Sequence, residues 1–143
     1  MTQVDFYVLT SANASNIEQF VCLLTEKAFK QGHKIHIHTV DEQQSTRVDN
    51  LLWTFKELSF LPHVKMGDEQ QSETPIHISH EQDKAFLADV LINLKSEVPV
   101  FYQQFERVAE IVSADPVQRQ TARQRYRHYQ QQGDTVTSHE VNR

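Results

Sequence analysis

The sequence predicts an α/β fold with a mainly parallel sheet and helices on both faces, without a phosphate-binding glycine loop. Short apolar, β-branched segments alternate along the chain with segments whose apolar residues recur at helical spacing. Residues 89–94 are apolar on both faces, as in strands inside a parallel sheet. With 143 residues, 38% hydrophobic and 23% charged, the chain fits one globular domain over 1–143.

The first half of the chain predicts two strands and two helices. Residues 4–10 are aromatic and β-branched, which is typical of a buried strand. A helix follows and ends near Gly32, a residue that suits a left-handed cap. Residues 34–40 form the next strand, and Asp41 or Ser45 caps the second helix. The apolar stripe of that helix is Val48, Leu51, Leu52 and Phe55.

The middle of the chain is less regular. Pro62 interrupts an extended segment at 59–64, which favours an edge strand or a surface loop. Residues 65–74 are polar and predict a loop, and residues 75–79 predict a short strand. The apolar run at 89–94 gives the clearest strand signal in the sequence.

The remaining elements follow in the last third of the chain. Residues 99–105 predict a short helix, and residues 107–112 predict what we take to be the last strand. Asp115 followed by Pro116 is typical of a helix start, with Asp as the N-cap and Pro at the first helical position. This final helix ends at Gly133.

The composition excludes several kinds of site. The single cysteine, Cys22, allows no internal disulfide and no Cys-rich zinc site. Only three glycines are present, and no dinucleotide or P-loop motif occurs, so we expect no cofactor. No apolar run approaches the roughly 20 residues of a membrane span, and no secretory signal is visible. We therefore expect a cytoplasmic protein with no membrane contact.

Four histidines need a separate interpretation. His36 and His38 lie two apart on a predicted strand, His33 is nearby, and His77 lies on another predicted strand. Metal ligands can be spaced in this way, so a small metal-dependent hydrolase using His36, His38 and His77 is an alternative function. No carboxylate or thiol motif completes such a site. We interpret the histidines as polar-face or interface side chains and expect no metal and no catalytic residue.

The charge is distributed unevenly along the chain. The net charge is −5, but residues 117–143 contain five arginines against two acidic residues, giving +3. Residues 1–116 carry nine basic against 17 acidic residues, giving −8. An acidic body disfavours broad binding to nucleic acid phosphates, whereas a basic end indicates a partner. Direct nucleic-acid binding through the last helix remains a second alternative.

The basic end has a regular pattern. Helical spacing places one set of side chains along one face of the last helix, and Arg125 points elsewhere. The set is Arg119, Arg123, Tyr126, Arg127 and Gln130. Guanidinium groups beside an aromatic ring can bind an acidic segment with an apolar or aromatic end. The alternative is an ordinary solvated basic face.

A second candidate surface is apolar. Trp53 lies about one residue off the stripe of the second helix and precedes the apolar run Phe60-Leu61-Pro62. Together these residues predict an exposed apolar patch, and hence a protein interface. The alternative is that Trp53 simply caps the core.

Seven segments, spread over nearly the whole chain, carry a resemblance to one protein family. They are V-D-F-Y-V-L at 4–9, E-Q-F-V-C-L-L at 18–24, L-L-W at 51–53, S-F-L-P-H at 59–63, D-V-L-I-N-L at 89–94, F-E-R-V-A-E-I-V at 105–112 and A-R-Q-R-Y-R-H-Y at 122–129. In these segments and in their order, the sequence resembles the chi subunits of bacterial DNA polymerase III holoenzyme. The last segment is the most specific.

The resemblance implies a non-catalytic replication adaptor with a Rossmann-like fold that binds no nucleotide. Such proteins bind the acidic, Phe-terminated tail of single-stranded-DNA-binding protein, and they reach the clamp loader through the psi subunit. Matched by motif, the tail site comprises Arg119, Arg123, Tyr126 and Arg127, and the psi site comprises Trp53, Phe60, Leu61 and Pro62. DNA is then contacted only indirectly, and the chain is expected as a monomer or heterodimer.

The sequence departs from the family at three places. Lys is frequent in the family where Arg127 stands, which keeps the charge but changes the donor geometry. Residues 134–137 are polar where the family is often apolar or aromatic, and residues 65–74 differ most.

Overall fold

Seven parallel strands form one sheet in the part of the chain that the computed structural model describes, namely residues 2–54, 63–65, 75–82, 85 and 88–143. The strand order is β3-β4-β2-β5-β6-β1-β7. The strands are β1 Gln3–Leu9, β2 Ile35–His38, β3 His63–Lys65, β4 Ile76–Ser79, β5 Val90–Asn93, β6 Arg107–Val112 and β7 Thr135–Val141. Every pairing is parallel, which confirms the predicted fold class.

Helices cover both faces of this sheet. They are α1 Ala14–Lys30, α2 Glu42–Thr54 and α3 Pro116–Gln131, with a short 3-10 helix at Tyr102–Gln104. Neighbouring residues of β1 enter different cores, because successive side chains of a strand point to opposite faces. Tyr7 packs on the core beneath α1 and α2, whereas Phe6 belongs to the core beneath α3. None of the helices in the described segments is long and apolar enough to cross a membrane.

Local capping signals fix the ends of the helices. Asp41 caps α2, because its Oδ1 accepts a hydrogen bond of 2.8 Å from the N–H of Gln44, and the other candidate, Ser45, is buried inside the helix. Asp115 caps α3 as predicted, with Pro116 in the first turn. After α3 the chain turns at Gly133, whose φ of 85° is a left-handed conformation that glycine adopts without strain.

The prediction that residues 107–112 form the last strand is wrong, because β7 follows α3. This strand pairs with β1 over its whole length, from Gln3 opposite Thr135 to Leu9 opposite Val141. Most of its residues are exposed. Its sequence therefore lacks the alternation of apolar and polar residues that marks a half-buried strand. Residues 135–137 of the segment noted as polar belong to this edge strand, and Asp134 directly precedes it.

Two further predictions differ in detail from the structure, and some of the predicted residues lie outside the described ones. The predicted helix at 99–105 is only the 3-10 turn at 102–104. Within the predicted extended segment 59–64 and loop 65–74, the structure describes only β3, which is an edge strand. Phe55, Phe60, Leu61 and Pro62 all lie outside the described residues.

Candidate functional site

The last helix has a buried face that fixes its position on the sheet. Arg125 points away from the basic face, as the spacing predicted, and it is buried in the core with 5% of its surface exposed. Its Nε donates a 3.2 Å hydrogen bond to Oε1 of Glu110 on β6, and its Nη1 donates to the carbonyl of Ser96 at 2.8 Å. The buried charges are thus paired, and α3 is fixed to the strand beneath it.

The carboxylate of Glu110 is the centre of a larger network. The hydroxyl of Tyr129 donates to its Oε2 at 2.6 Å, and the amide of Asn93 donates to both oxygens at 3.0 Å. Burial raises the pKa of Glu110, while the Arg125 charge and these hydrogen bonds act in the opposite direction. Because Arg125 and Tyr129 lie on α3 and Asn93 lies on β5, the carboxylate ties β5, β6 and α3 together.

A groove of about 220 Å³ lies between α3 and the sheet. The side chains that line it are Phe6, Val8, Val112, Ala122, Arg119, Arg123, Tyr126 and Ser138. Those from β1 and β6 are apolar, and those from α3 include both arginines. The groove therefore combines an apolar floor with a cationic rim, which suits a ligand that has an apolar group next to an anionic one.

Arg119 is held in place at this rim by main-chain oxygens. Its Nη2 donates to the carbonyl of Leu9 at 3.1 Å, and its Nε donates to the carbonyl of Ser113 at 3.4 Å. A guanidinium carries five N–H donors, so the remaining donors of Arg119 can bind a ligand. The side chain therefore loses less conformational freedom on binding than an exposed arginine would.

Arg123 and Tyr126 complete the rim in different ways. Arg123 is exposed, and among the described residues it makes no hydrogen bond or ion pair. Tyr126 is half-buried, with its ring centroid 5.2 Å from that of Phe6, and its hydroxyl donates to the carbonyl of Val136 at 3.4 Å. The ring thus forms part of the wall, while Arg123 is available to an anionic ligand.

Arg127 and Gln130 are exposed on α3 but do not line the groove. The structure therefore brings together three of the four residues predicted for the tail site, Arg119, Arg123 and Tyr126. Arg127 lies one turn farther along the helix.

The sequence analysis missed the floor and one wall of the groove. The alternation of β1 places Phe6 and Val8 on the face beneath α3, and this signal was available from the sequence. That α3 covers these two residues depends on tertiary packing. Ser138 carried no signal, because it belongs to the strand that was not predicted.

Trp53 lies in the last turn of α2 and is 50% exposed. A tryptophan that merely capped the core would be largely buried, so the exposure favours the surface interpretation. The other three residues predicted for this interface, Phe60, Leu61 and Pro62, lie outside the described residues.

The histidines on β2 are core residues, which corrects their interpretation as polar-face or interface side chains. His36 and His38 are 0% and 1% exposed and lie 5.7 Å and 5.0 Å from the Phe101 ring, measured between centroids. Burial lowers the pKa of His36 to about 3 and that of His38 to about 4. Both side chains are therefore neutral at physiological pH.

The alternative of a metal-dependent hydrolase gains no support from the described residues. His77 is buried on β4 next to His36. His33 lies near the surface, with its Nδ1 3.6 Å from Oδ2 of Asp89. Within the described segments, no group of three or more His, Cys, Asp or Glu side chains is arranged to hold a metal ion.

Comparison with known proteins gives a consistent result. A family model described as DNA polymerase III chi subunit, HolC, matches residues 1–137. A DNA polymerase III subunit chi from Pseudomonas aeruginosa is 40% identical over 143 residues, covering 100% of this chain and 99% of that protein. A protein of the same name from Haemophilus influenzae is 31% identical, and the match covers 95% of this chain and 95% of that protein. Another from Escherichia coli is 30% identical, and the match covers 93% of this chain and 94% of that protein.

Proposed function

The chain belongs to the family of DNA polymerase III chi subunits, and from this premise we propose that its groove binds the acidic C-terminal tail of single-stranded-DNA-binding protein. As a chi subunit it is an accessory protein of DNA replication, which agrees with the expectation of a non-catalytic role. The proposal adds the partner, the site on this chain and the residues that recognise the partner.

One observation carries the proposal: the groove places an apolar floor directly beside two guanidinium groups. A peptide that ends in Phe presents the complementary chemistry, because its benzyl side chain and its terminal carboxylate are bonded to the same Cα atom. The ring would fill the space over Phe6 and Val8, and the carboxylate would accept hydrogen bonds from Arg119 and Arg123. Paired N–H···O bonds to a carboxylate are among the stronger hydrogen bonds in proteins.

The acidic residues that precede the Phe would meet the same basic surface. Residues 117–143 carry +3, whereas the rest of the chain carries −8. An acidic peptide is therefore attracted to this end of the molecule and repelled elsewhere. The acidic body also disfavours broad contact with DNA, which is consistent with a protein that reaches DNA only through its partner.

We propose that Trp53, Phe60, Leu61 and Pro62 bind the psi subunit and so connect the tail-binding site to the clamp loader. The exposure of Trp53 supports this, because an exposed tryptophan is a frequent anchor of protein interfaces. On this proposal the chain is an adaptor in the cytoplasm at the replication fork. It acts as a monomer or as a heterodimer with psi, and it uses no cofactor.

The tail-binding proposal is tested by comparing three synthetic peptides by fluorescence anisotropy at one salt concentration. The first has acidic residues, an apolar end and a free terminal Phe; the second has its terminus amidated; the third lacks the Phe. We expect affinity to fall in that order, because amidation removes one charge, whereas deletion removes buried aromatic area and moves the terminal carboxylate out of register.

Equal binding by the three peptides would contradict the proposal, because it would mean simple attraction between charges. A single-stranded oligonucleotide serves as a further ligand, since tighter binding to naked DNA than to the first peptide would favour a nucleic-acid-binding module instead. Affinity for the first peptide should also fall as the salt concentration rises.

A further inference from the structure

The strand β7 forms an open edge of the sheet. Among the strands that the structure describes, β7 has a neighbour on one side only, which is β1. It is seven residues long, contains no proline, and pairs with β1 without interruption. Protected edges are usually short or interrupted by proline or a bulge, so β7 is suited to pair with another extended chain.

The pairing with β1 shows which main-chain groups of β7 face outward. The N–H of Thr135 donates to the carbonyl of Thr2, and the carbonyl of Val141 accepts from the N–H of Thr10. Odd-numbered residues of β7 therefore point their N–H and C=O groups toward β1. Because these groups alternate along a strand, those of Val136, Ser138 and Glu140 point toward the open edge.

This edge is continuous with the groove. The side chain of Ser138 lines the groove, and the hydroxyl of Tyr126 donates to the outward-pointing carbonyl of Val136. A peptide whose last residue lies in the groove therefore leaves it next to β7. The groove alone accommodates little more than one side chain, so the residues that precede the Phe need a second surface.

We infer that the acidic tail adds to the sheet as an eighth strand, hydrogen-bonded to the outward groups of Val136, Ser138 and Glu140. This inference rests on the proposed function, since it takes the same peptide as the occupant of the edge. The main-chain hydrogen bonds hold the peptide in an extended form, and the groove selects its terminal residue. In strand addition generally, main-chain hydrogen bonds supply the affinity and side-chain pockets supply the specificity.

The charges favour a peptide that runs parallel to β7. Since β6 and β7 are parallel and α3 connects them, α3 runs in the opposite direction, and Arg127 lies toward the start of β7. Four helical residues span about 6 Å, which corresponds to about two residues of an extended chain. Arg127 is thus placed to meet an acidic side chain shortly before the Phe.

The opposite direction is less favourable. A peptide running antiparallel to β7 would carry its acidic residues past Glu140 near the end of the strand. Arg143 also lies at that end, and it offsets this acidic charge without adding a net positive one. Arg127 does not line the groove, but in the parallel direction it pairs with an acidic residue of the peptide.

Amide hydrogen exchange measured by NMR tests the strand addition residue by residue. In the free protein the amides of Val136, Ser138 and Glu140 should exchange quickly, and those of Thr137 and His139 more slowly. Saturation with the Phe-ended peptide should slow exchange at the three outward amides at least tenfold and leave the inward ones nearly unchanged. The inward amides of the same strand are the internal control.

Peptides methylated at single backbone nitrogens give a second measurement that needs no change in the protein. Methylation at alternate positions should weaken binding about tenfold, and methylation at the positions between them should have little effect, because only every second N–H faces β7. Equal effects at all positions, or no change in exchange at the outward amides, would overturn the strand addition.

The two proposals fail in different ways. If the unmodified peptide does not bind, the proposed function is wrong; if it binds without the alternating pattern, only the strand addition is wrong. Alternating protection that appears without peptide and grows with protein concentration would show that a second copy of the chain occupies the edge, which also overturns the inference.

The direction is tested by combining Arg127→Ala with a peptide whose acidic residue closest to the Phe is replaced by its amide. We expect Arg127→Ala to lower the affinity for the original peptide several-fold, and to lower the affinity for the peptide with the side-chain amide much less. Arg143→Ala is the matched control and should lower the affinity for both peptides equally. The reverse pattern would show an antiparallel strand.

Discussion

Two arginines of the groove carry the same charge but differ in how they are held. Arg119 is fixed by the carbonyls of Leu9 and Ser113, whereas Arg123 makes no hydrogen bond or ion pair with any described residue. Substituting Arg119 would therefore disturb the protein as well as the site. Arg123 gives the cleaner test, because its removal leaves no buried group without a partner.

We expect Arg123→Ala to weaken binding of the Phe-ended peptide by about 2 kcal/mol, a factor near 30, as for a central residue of an interface. Thermal stability should be unchanged, because the side chain is exposed. Calorimetry of the peptide titration checks the prediction. Gln124→Ala, an exposed neighbour outside the groove, is the control; binding by Arg123→Ala equal to that of the wild type would remove Arg123 from the site.

The buried histidines make stability depend on pH. The pKa of His36 falls from 6.5 to about 3 on folding, so between these values the unfolded chain binds more protons than the folded one. The free energy of unfolding therefore falls as the pH falls below 6.5, by at most about 1.4 kcal/mol per pH unit for this group. This contribution is fully present above pH 6.5.

Urea unfolding at pH 7.5 and pH 5.0 checks this dependence with the variant His36→Leu. The wild type should lose about 2 kcal/mol more than the variant between the two pH values, because only the wild type has this histidine to protonate when it unfolds. The raised pKa of Glu110 acts in the opposite direction, but it is common to both proteins. An equal loss in both would show that His36 is not buried in its neutral form.

At the scale of the element, α3 shows which features a sequence specifies locally. Its start and its end were predicted, because Asp115, Pro116 and Gly133 act on main-chain groups only a few residues away. Its basic face was predicted from helical spacing. The strand β7 was not predicted, because it forms by pairing with β1, more than 130 residues away. The rim of the groove lies on α3 and could therefore be predicted, whereas its outer wall lies on β7 and could not. The alternation of β1 indicated which residues share the floor, but their cover by α3 depends on tertiary packing.

The buried face of α3 predicts a large effect for a single arginine. Arg125→Ala would leave Glu110 as a buried carboxylate without its ionic partner, and breaking such a pair typically costs about 3–5 kcal/mol. Chemical denaturation of the variant measures this loss. Arg127→Ala, two residues away on the exposed side, is the control and should change stability by less than about 0.5 kcal/mol. Similar stability of the two variants would show that the ion pair does not hold α3 to the sheet.

At the scale of the whole molecule, the sheet separates the two proposed interfaces. The groove lies between α3 and one face, and Trp53 lies on α2, which packs on the other. Neither region shares a described side chain with the other. This arrangement suits the proposed adaptor, because a partner bound on one face of the sheet leaves the other face accessible.

This separation leads to a prediction for Trp53→Ala. The variant should lose binding to psi while keeping the wild-type affinity for the Phe-ended peptide, since the effects of distant, unconnected sites are additive. The side chain is 50% exposed, so unfolding should become easier by much less than the roughly 3–5 kcal/mol of a core aromatic. A pull-down with psi, a peptide titration and a thermal melt on one preparation measure all three quantities.

A loss of stability typical of a core residue would mean that Trp53 is core, and the psi interface proposed around it would then have no anchor. Weaker peptide binding without a loss of stability would instead show that the two faces of the sheet are coupled.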